Sequence, residues 1–101
     1  MVMSFENATV LNYLLGNGFV YTFRKEKRKT LGKEWINAGR TLPKIADVNV
    51  TFVKEVKSTE DLRPYIHYSG FGNIFQWCQA IADLGISEVK GYLYRVSLRR
   101  V

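Results

Sequence analysis

Ile45-Ala46-Asp47-Val48-Asn49-Val50-Thr51-Phe52-Val53-Lys54-Glu55-Val56-Lys57 carries the clearest alternation of apolar and polar residues in the chain. Side chains of an extended segment point alternately to opposite sides, so Ala46, Val48, Val50, Phe52 and Val56 mark a core face. Asp47, Asn49, Thr51 and Glu55 mark a wetted one. Segments on either side read the same way. Phe19 to Arg24 is β-branched and aromatic, with Phe19, Tyr21 and Phe23 on one side and Val20, Thr22 and Arg24 on the other. Near the end of the chain, Tyr92, Tyr94, Val96 and Leu98 alternate with Leu93, Arg95, Ser97 and Arg99, which predicts a closing strand over Lys90 to Arg99. Thr30 to Ile36 reads as a short strand interrupted by Gly32, before Asn37-Ala38-Gly39 turns the chain.

Helical spacing occurs twice. Phe5, Ala8, Leu11, Leu14 and Leu15 predict a helix over Phe5 to Leu15, with Ser4 as its cap and Gly16-Asn17-Gly18 as a left-handed stop. Ile74, Trp77, Cys78, Ile81 and Leu84 predict a second helix over Gly72 to Leu84, ended by Gly85. Ser58-Thr59-Glu60-Asp61 reads as one capped turn that Pro64 keeps from lengthening. Four or five strands with too few helices for βαβ alternation give an α+β class. The expected architecture is a small β-barrel or strongly curled sheet with flanking helices, in a single domain over residues 1–101.

The charge is local. The whole chain has a net charge of +6, and the segment from Arg24 to Lys44 carries all of it, with Glu26 and Glu34 as its only acids. Its cations are Arg24, Lys25, Lys27, Arg28, Lys29, Lys33, Arg40 and Lys44, interleaved with Leu31, Trp35, Ile36 and Leu42. Such a field concentrates polyanions, which gain counterion-release entropy on binding. Five to seven phosphate contacts on a duplex would give a slope of log K against log salt of about −4 to −6. Trp35, set among cations, either stacks a base or covers an end of the core.

Other classes are less favoured. Met1 to Ser4 has no basic residue, and no apolar run approaches the roughly 18 residues of a membrane span, so a cytoplasmic protein is expected. Cys78 is the only cysteine and falls within an apolar helical pattern; His67 is the only histidine. Neither a metal site nor a cofactor is expected from these residues. Glu34, Glu55 and Glu60 have no catalytic spacing, and Tyr92 and Tyr94 share a face with Val96 and Leu98, which favours the core.

Gly18-Phe19-Val20-Tyr21-Thr22-Phe23-Arg24, Ala46-Asp47-Val48-Asn49-Val50, the loop Ser69-Gly70-Phe71 leading into a helix with Trp77, and Gly91-Tyr92-Leu93-Tyr94-Arg95-Val96 together resemble an ASCH domain of the PUA-like superfamily. The resemblance spans nearly the whole chain. It implies a small β-barrel with flanking helices, a cleft beside the strand that ends on Arg24, and RNA-related roles. Some members are amidohydrolases acting on modified cytidine, and ribonuclease activity is attributed to others. The family signature ends on an arginine, matched by Arg24; Thr22 stands where it has a glutamate and Phe19 where it has a lysine. In the amidohydrolases a Lys and a Thr on this strand do the chemistry. Thr22 matches that Thr, Phe19 replaces the Lys, and Lys25 or Lys29 would have to fold back into the cleft to act as a base.

The expected function is therefore binding of nucleic acid, RNA in preference to DNA because neither predicted helix carries a Lys or Arg. Arg24, Lys25, Lys27, Arg28, Lys29, Lys33, Trp35, Arg40 and Lys44 would hold the strand, and Thr22, Tyr68 and Ser69 would line the cleft. A hydrolase acting on a modified nucleoside or RNA, with Thr22 as nucleophile, is the alternative, and a protein-interaction adaptor is a third. The oligomeric expectation is a monomer or weak dimer.

Overall fold

The structure is a computed structural model that describes residues 2–39 and 41–99. Along the chain come β1 (Val2–Ser4), α1 (Ala8–Asn17), β2 (Phe19–Arg24), β3 (Gly32–Asn37) and β4 (Ala46–Val56). Two 3-10 turns (Thr59–Asp61 and Arg63–Tyr68), α2 (Ile74–Asp83) and β5 (Gly91–Leu98) complete it. The five strands form one sheet in the order β1-β3-β4-β5-β2, curled into a half-barrel flanked by the helices. Neighbours run antiparallel except β1 and β3, which are parallel.

Each sheet face has its own apolar cluster. Against α1 lie Val20, Ile36, Val48, Val50, Tyr94 and Val96, sealed by Met3, Phe5, Leu11 and Leu14. Against α2 and the second 3-10 turn lie Phe23, Val56 and Leu93, with Leu62, Ile74, Trp77 and Ile81. Complete burial of each aliphatic side chain contributes about 1.5–3 kcal/mol. Cys78 packs half-buried beside the second cluster.

β4 departs from its alternation midway. Phe52 lies opposite Tyr94 but Lys54 lies opposite Leu93, so one extra residue, Val53, slips the pairing. A one-residue slip exchanges the faces, and Val56 enters the α2 cluster instead of continuing the row of Val48 and Val50. Phe52, expected in the core, is 43% exposed.

The first helix also begins later than the spacing predicts. Ser4 belongs to β1, and Phe5 donates its amide to the Asn37 carbonyl at 2.9 Å, extending the β1–β3 ladder. Asn7 is the cap, accepting at Oδ1 from the Thr9 amide at 2.9 Å and the Val10 amide at 3.3 Å. Phe5 is buried as expected, as part of the strand end instead of the helix. The predicted stop is in place, with Gly18 at φ 93° donating its amide to Leu14. Asn73 caps α2 by accepting from the Gln76 amide, and Gly85 follows its end. Pro64 does not end the turn chemistry; it opens the second 3-10 turn, where its missing N–H is harmless. No helix among the described residues is long and apolar enough to cross a membrane.

Candidate functional site

β2 and β3 lie apart in the sheet, so residues 25–31 must cross between them. The crossing is pinned at Arg28, whose amide donates to the Tyr94 hydroxyl at 2.7 Å. Its guanidinium forms an ion pair with Glu34, and the side chains of the two are 15% and 1% exposed. Glu34 points inward because β3 places it opposite Val48, on the α1 face. Lys25, Lys27 and Lys29 stay exposed on the crossing, with Lys27 Nζ 6.0 Å from the centre of the Phe52 ring.

At the start of this crossing is a cleft of about 380 Å³, between the β1–α1 junction, the end of β2, and α2. Phe5, Phe23 and Trp77 provide apolar walls, and Thr22, Arg24 and Lys25 bring polar groups into the lining. Arg24 lies over the Phe5 ring, 4.9 Å from its centre, and its Nη1 donates to the Ser4 carbonyl at 3.0 Å. Its Nε is buried without a hydrogen-bond partner among the described residues. Burial, reinforced by the neighbouring charge of Arg28 and opposed by Glu6, lowers the Arg24 pKa to about 10. Arg28 Nε and Glu34 Oε2 are also buried and unpartnered. The Arg28 guanidinium is met by Glu34, while Arg24 lies close enough to Arg28 to feel its charge and has Glu6 as its acidic neighbour; a buried cation is costly until an acceptor or anion meets it.

The residues expected to act together divide into groups. Thr22, Arg24 and Lys25 share the cleft, and Lys27 and Lys29 follow on the crossing. Arg28 is held by Glu34 and serves the interior. Lys44 pairs with Asp47 at 2.7 Å. Lys33 and Trp35 lie opposite Asn49 and Asp47, on the sheet face away from α1. Arg40 lies outside the described residues.

Tyr68 and Ser69 are not among the lining of the cleft. Tyr68 packs on Phe19, with ring centres 5.0 Å apart, and is 46% exposed. Ser69 is buried in a turn, donating to the Ile66 carbonyl and accepting from the Phe71 amide. The start of α2 is satisfied by its own residues: the Gly72 amide donates to Gln76 Oε1 and the Gln76 amide to Asn73 Oδ1. Phe19, three positions from Thr22, faces the opposite side of the sheet, so no side chain at that position would reach Thr22 directly. Of the two lysines considered as a base, Lys25 lines the cleft and Lys29 does not. Among the described residues no three His, Cys, Asp or Glu side chains gather as metal ligands.

Sequence reasoning missed Phe5 and Trp77 as cleft walls and Glu34 as the anchor of Arg28. The Arg28/Glu34 spacing was visible, but only the crossing and the β3–β4 register bury the pair. No protein-family model, curated protein or solved structure matches the chain.

Proposed function

We propose that this chain is a nucleic-acid-binding domain, with single-stranded RNA as the favoured ligand, in which Lys25, Lys27 and Lys29 hold phosphates while the adjoining cleft receives a base. The observation that carries this reading is Arg24, a guanidinium whose buried Nε has no partner among the described residues, in the wall of a cleft that sets Phe5 and Trp77 beside polar side chains. A base supplies the flat apolar body that Phe5 and Trp77 can accept and carbonyl or ring-nitrogen acceptors for the guanidinium. Exposed lysines at the mouth add a sequence-independent attraction for the backbone. RNA is favoured over duplex DNA because neither α1 nor α2 carries a Lys or Arg to place in a major groove. This reading keeps the cleft and strand positions that the ASCH resemblance implies.

The test is binding of a short labelled single-stranded RNA, followed by fluorescence anisotropy. Arg24→Met is expected to lower affinity by about 10- to 100-fold, the scale of a lost charged hydrogen bond. A Lys25→Gln/Lys27→Gln/Lys29→Gln variant should bind more weakly and with less salt dependence. Affinity unchanged in both folded variants would overturn the proposal, and capture of acidic peptides alone would favour the adaptor reading.

A hydrolase is the second reading, favoured by the presence of the Thr22 hydroxyl and Lys25 in one cleft. It requires turnover of a modified nucleoside or RNA that disappears in Thr22→Ala.

A further inference from the structure

The sheet face opposite α1 is covered by α2 and the second 3-10 turn at one end, and that turn also reaches the β2 edge of the rest, where Tyr65 packs on Tyr21 and Tyr68 on Phe19. At the other end, Lys33, Asn49, Ser97 and Phe19 form a row across β3, β4, β5 and β2. Thr51, Arg95 and Tyr21 form the next row on one side, and Trp35 lies opposite Asp47 on the other. Residues alternating with these on the same strands, among them Val20, Ile36, Val48, Val50 and Val96, are 0% exposed. Lys33, Asn49 and Thr51 are exposed, and Phe19, Tyr21 and Trp35 are half-buried, with Trp35 in neither apolar cluster.

We infer that this open face is a second nucleic-acid surface, a stacking platform for a single strand, distinct from the cleft and crossing loop. Its rings are presented with cations. The Arg95 guanidinium lies over Phe19, 4.5 Å from the ring centre, and Tyr68 continues that aromatic surface at 5.0 Å from Phe19. Trp35 stands three strand spacings from Phe19, about 14 Å across the sheet, far enough to take a separate base. Lys33, Arg95 and Arg99 supply positive charge, while the one carboxylate of these rows, Asp47, is already held by Lys44 at 2.7 Å.

This chemistry separates a single strand from other occupants. A protein-docking core would be dominated by apolar side chains with few charges. Here the ground between the half-buried rings of Phe19 and Trp35 is Asn49, Thr51 and Ser97, small hydrogen-bonding residues. Flat rings beside cations match a ligand that is a polyanion and carries a π-face on every unit. The choice of ligand class rests on the proposed function, but the surface shares none of the cleft's residues.

The test titrates the full chain with a short single-stranded RNA containing 2-aminopurine, reading stoichiometry and the fluorescence quenching that stacking causes. The parent should bind two oligonucleotides per chain. An Arg24→Met/Lys25→Gln variant should retain one, still quenched. Trp35→Leu or Tyr68→Leu should weaken that remaining site roughly 5- to 100-fold, the range for loss of one stacked base. Lys33→Gln, a change at an exposed side chain, should weaken it and reduce its salt dependence. A single site abolished by Arg24→Met/Lys25→Gln and indifferent to Trp35→Leu, Tyr68→Leu and Lys33→Gln would overturn the platform while keeping the cleft. A single site with the reverse sensitivities would keep the platform and overturn the cleft. Absence of RNA binding, or polyglutamate binding as tightly at the same residues, would overturn the platform's assignment to nucleic acid.

Discussion

Glu34 is a carboxylate inside the half-barrel, and its placement governs Arg28. Its Oε1 holds Arg28, while its second oxygen and the Nε atoms of Arg24 and Arg28 are buried without partners. Glu34→Ala would leave the Arg28 guanidinium without its buried counter-charge. The expected cost is about 3–5 kcal/mol, the range for breaking a buried pair from one side. Urea unfolding should show it as a lower midpoint with an unchanged slope. Lys33-Glu34-Trp35-Ile36 does not display this role, because a charged residue next to two large apolar ones fits either direction of pleat. Pairing of Glu34 with Val48 decides the direction. Arg24 was legible as a site residue from its place at the end of an apolar strand, whereas its missing partner at Nε depends on Phe5 and Ser4 closing over it.

The first 3-10 turn offers a pH test at the scale of an element. Asp61 accepts from the Lys57 amide at 2.8 Å and pairs with Lys54 Nζ at 2.9 Å, fastening the turn to the end of β4. The Lys57 amide first, and then Lys54, hold its carboxyl below the ordinary value of 3.8. A depressed folded-state pKa gives stability that is present above the unfolded-state value and lost as pH falls through the folded one. The parent should therefore be more stable than Asp61→Asn near neutrality, and the gap should close as pH falls below about 4. Chemical denaturation across that range measures both limbs. β2 and β5 were legible as elements because their alternation is continuous. β4 was legible as a strand but not in its final facing, because Val53 looks like any other β-former until the pairing with β5 slips around it. β1 was missed because a three-residue strand has too little pattern to outweigh the helical spacing that begins at Phe5.

Over the whole molecule, the basic segment becomes several surfaces with different work. Arg28 is held inside and Lys44 is paired, so the crossing and cleft offer Lys25, Lys27, Lys29 and Arg24 to a ligand. Three or four contacts on a single strand give an expected slope of log K against log salt of about −2 to −3 for that site, shallower than the count of charges in the segment suggests. Lys27→Gln should reduce it by about 0.7, read from affinity over a salt series. By itself the sequence determined the α+β class, most strand and helix positions, and the confinement of positive charge to one segment, because these depend on local periodicity and composition. Only the tertiary structure decided which cations remain free, that Tyr68 belongs with Phe19 instead of the cleft, and that Trp35 lies on the opposite face from α1. Those outcomes depend on strand order, register and a single bulge, which bring distant residues together through contacts that no local pattern encodes.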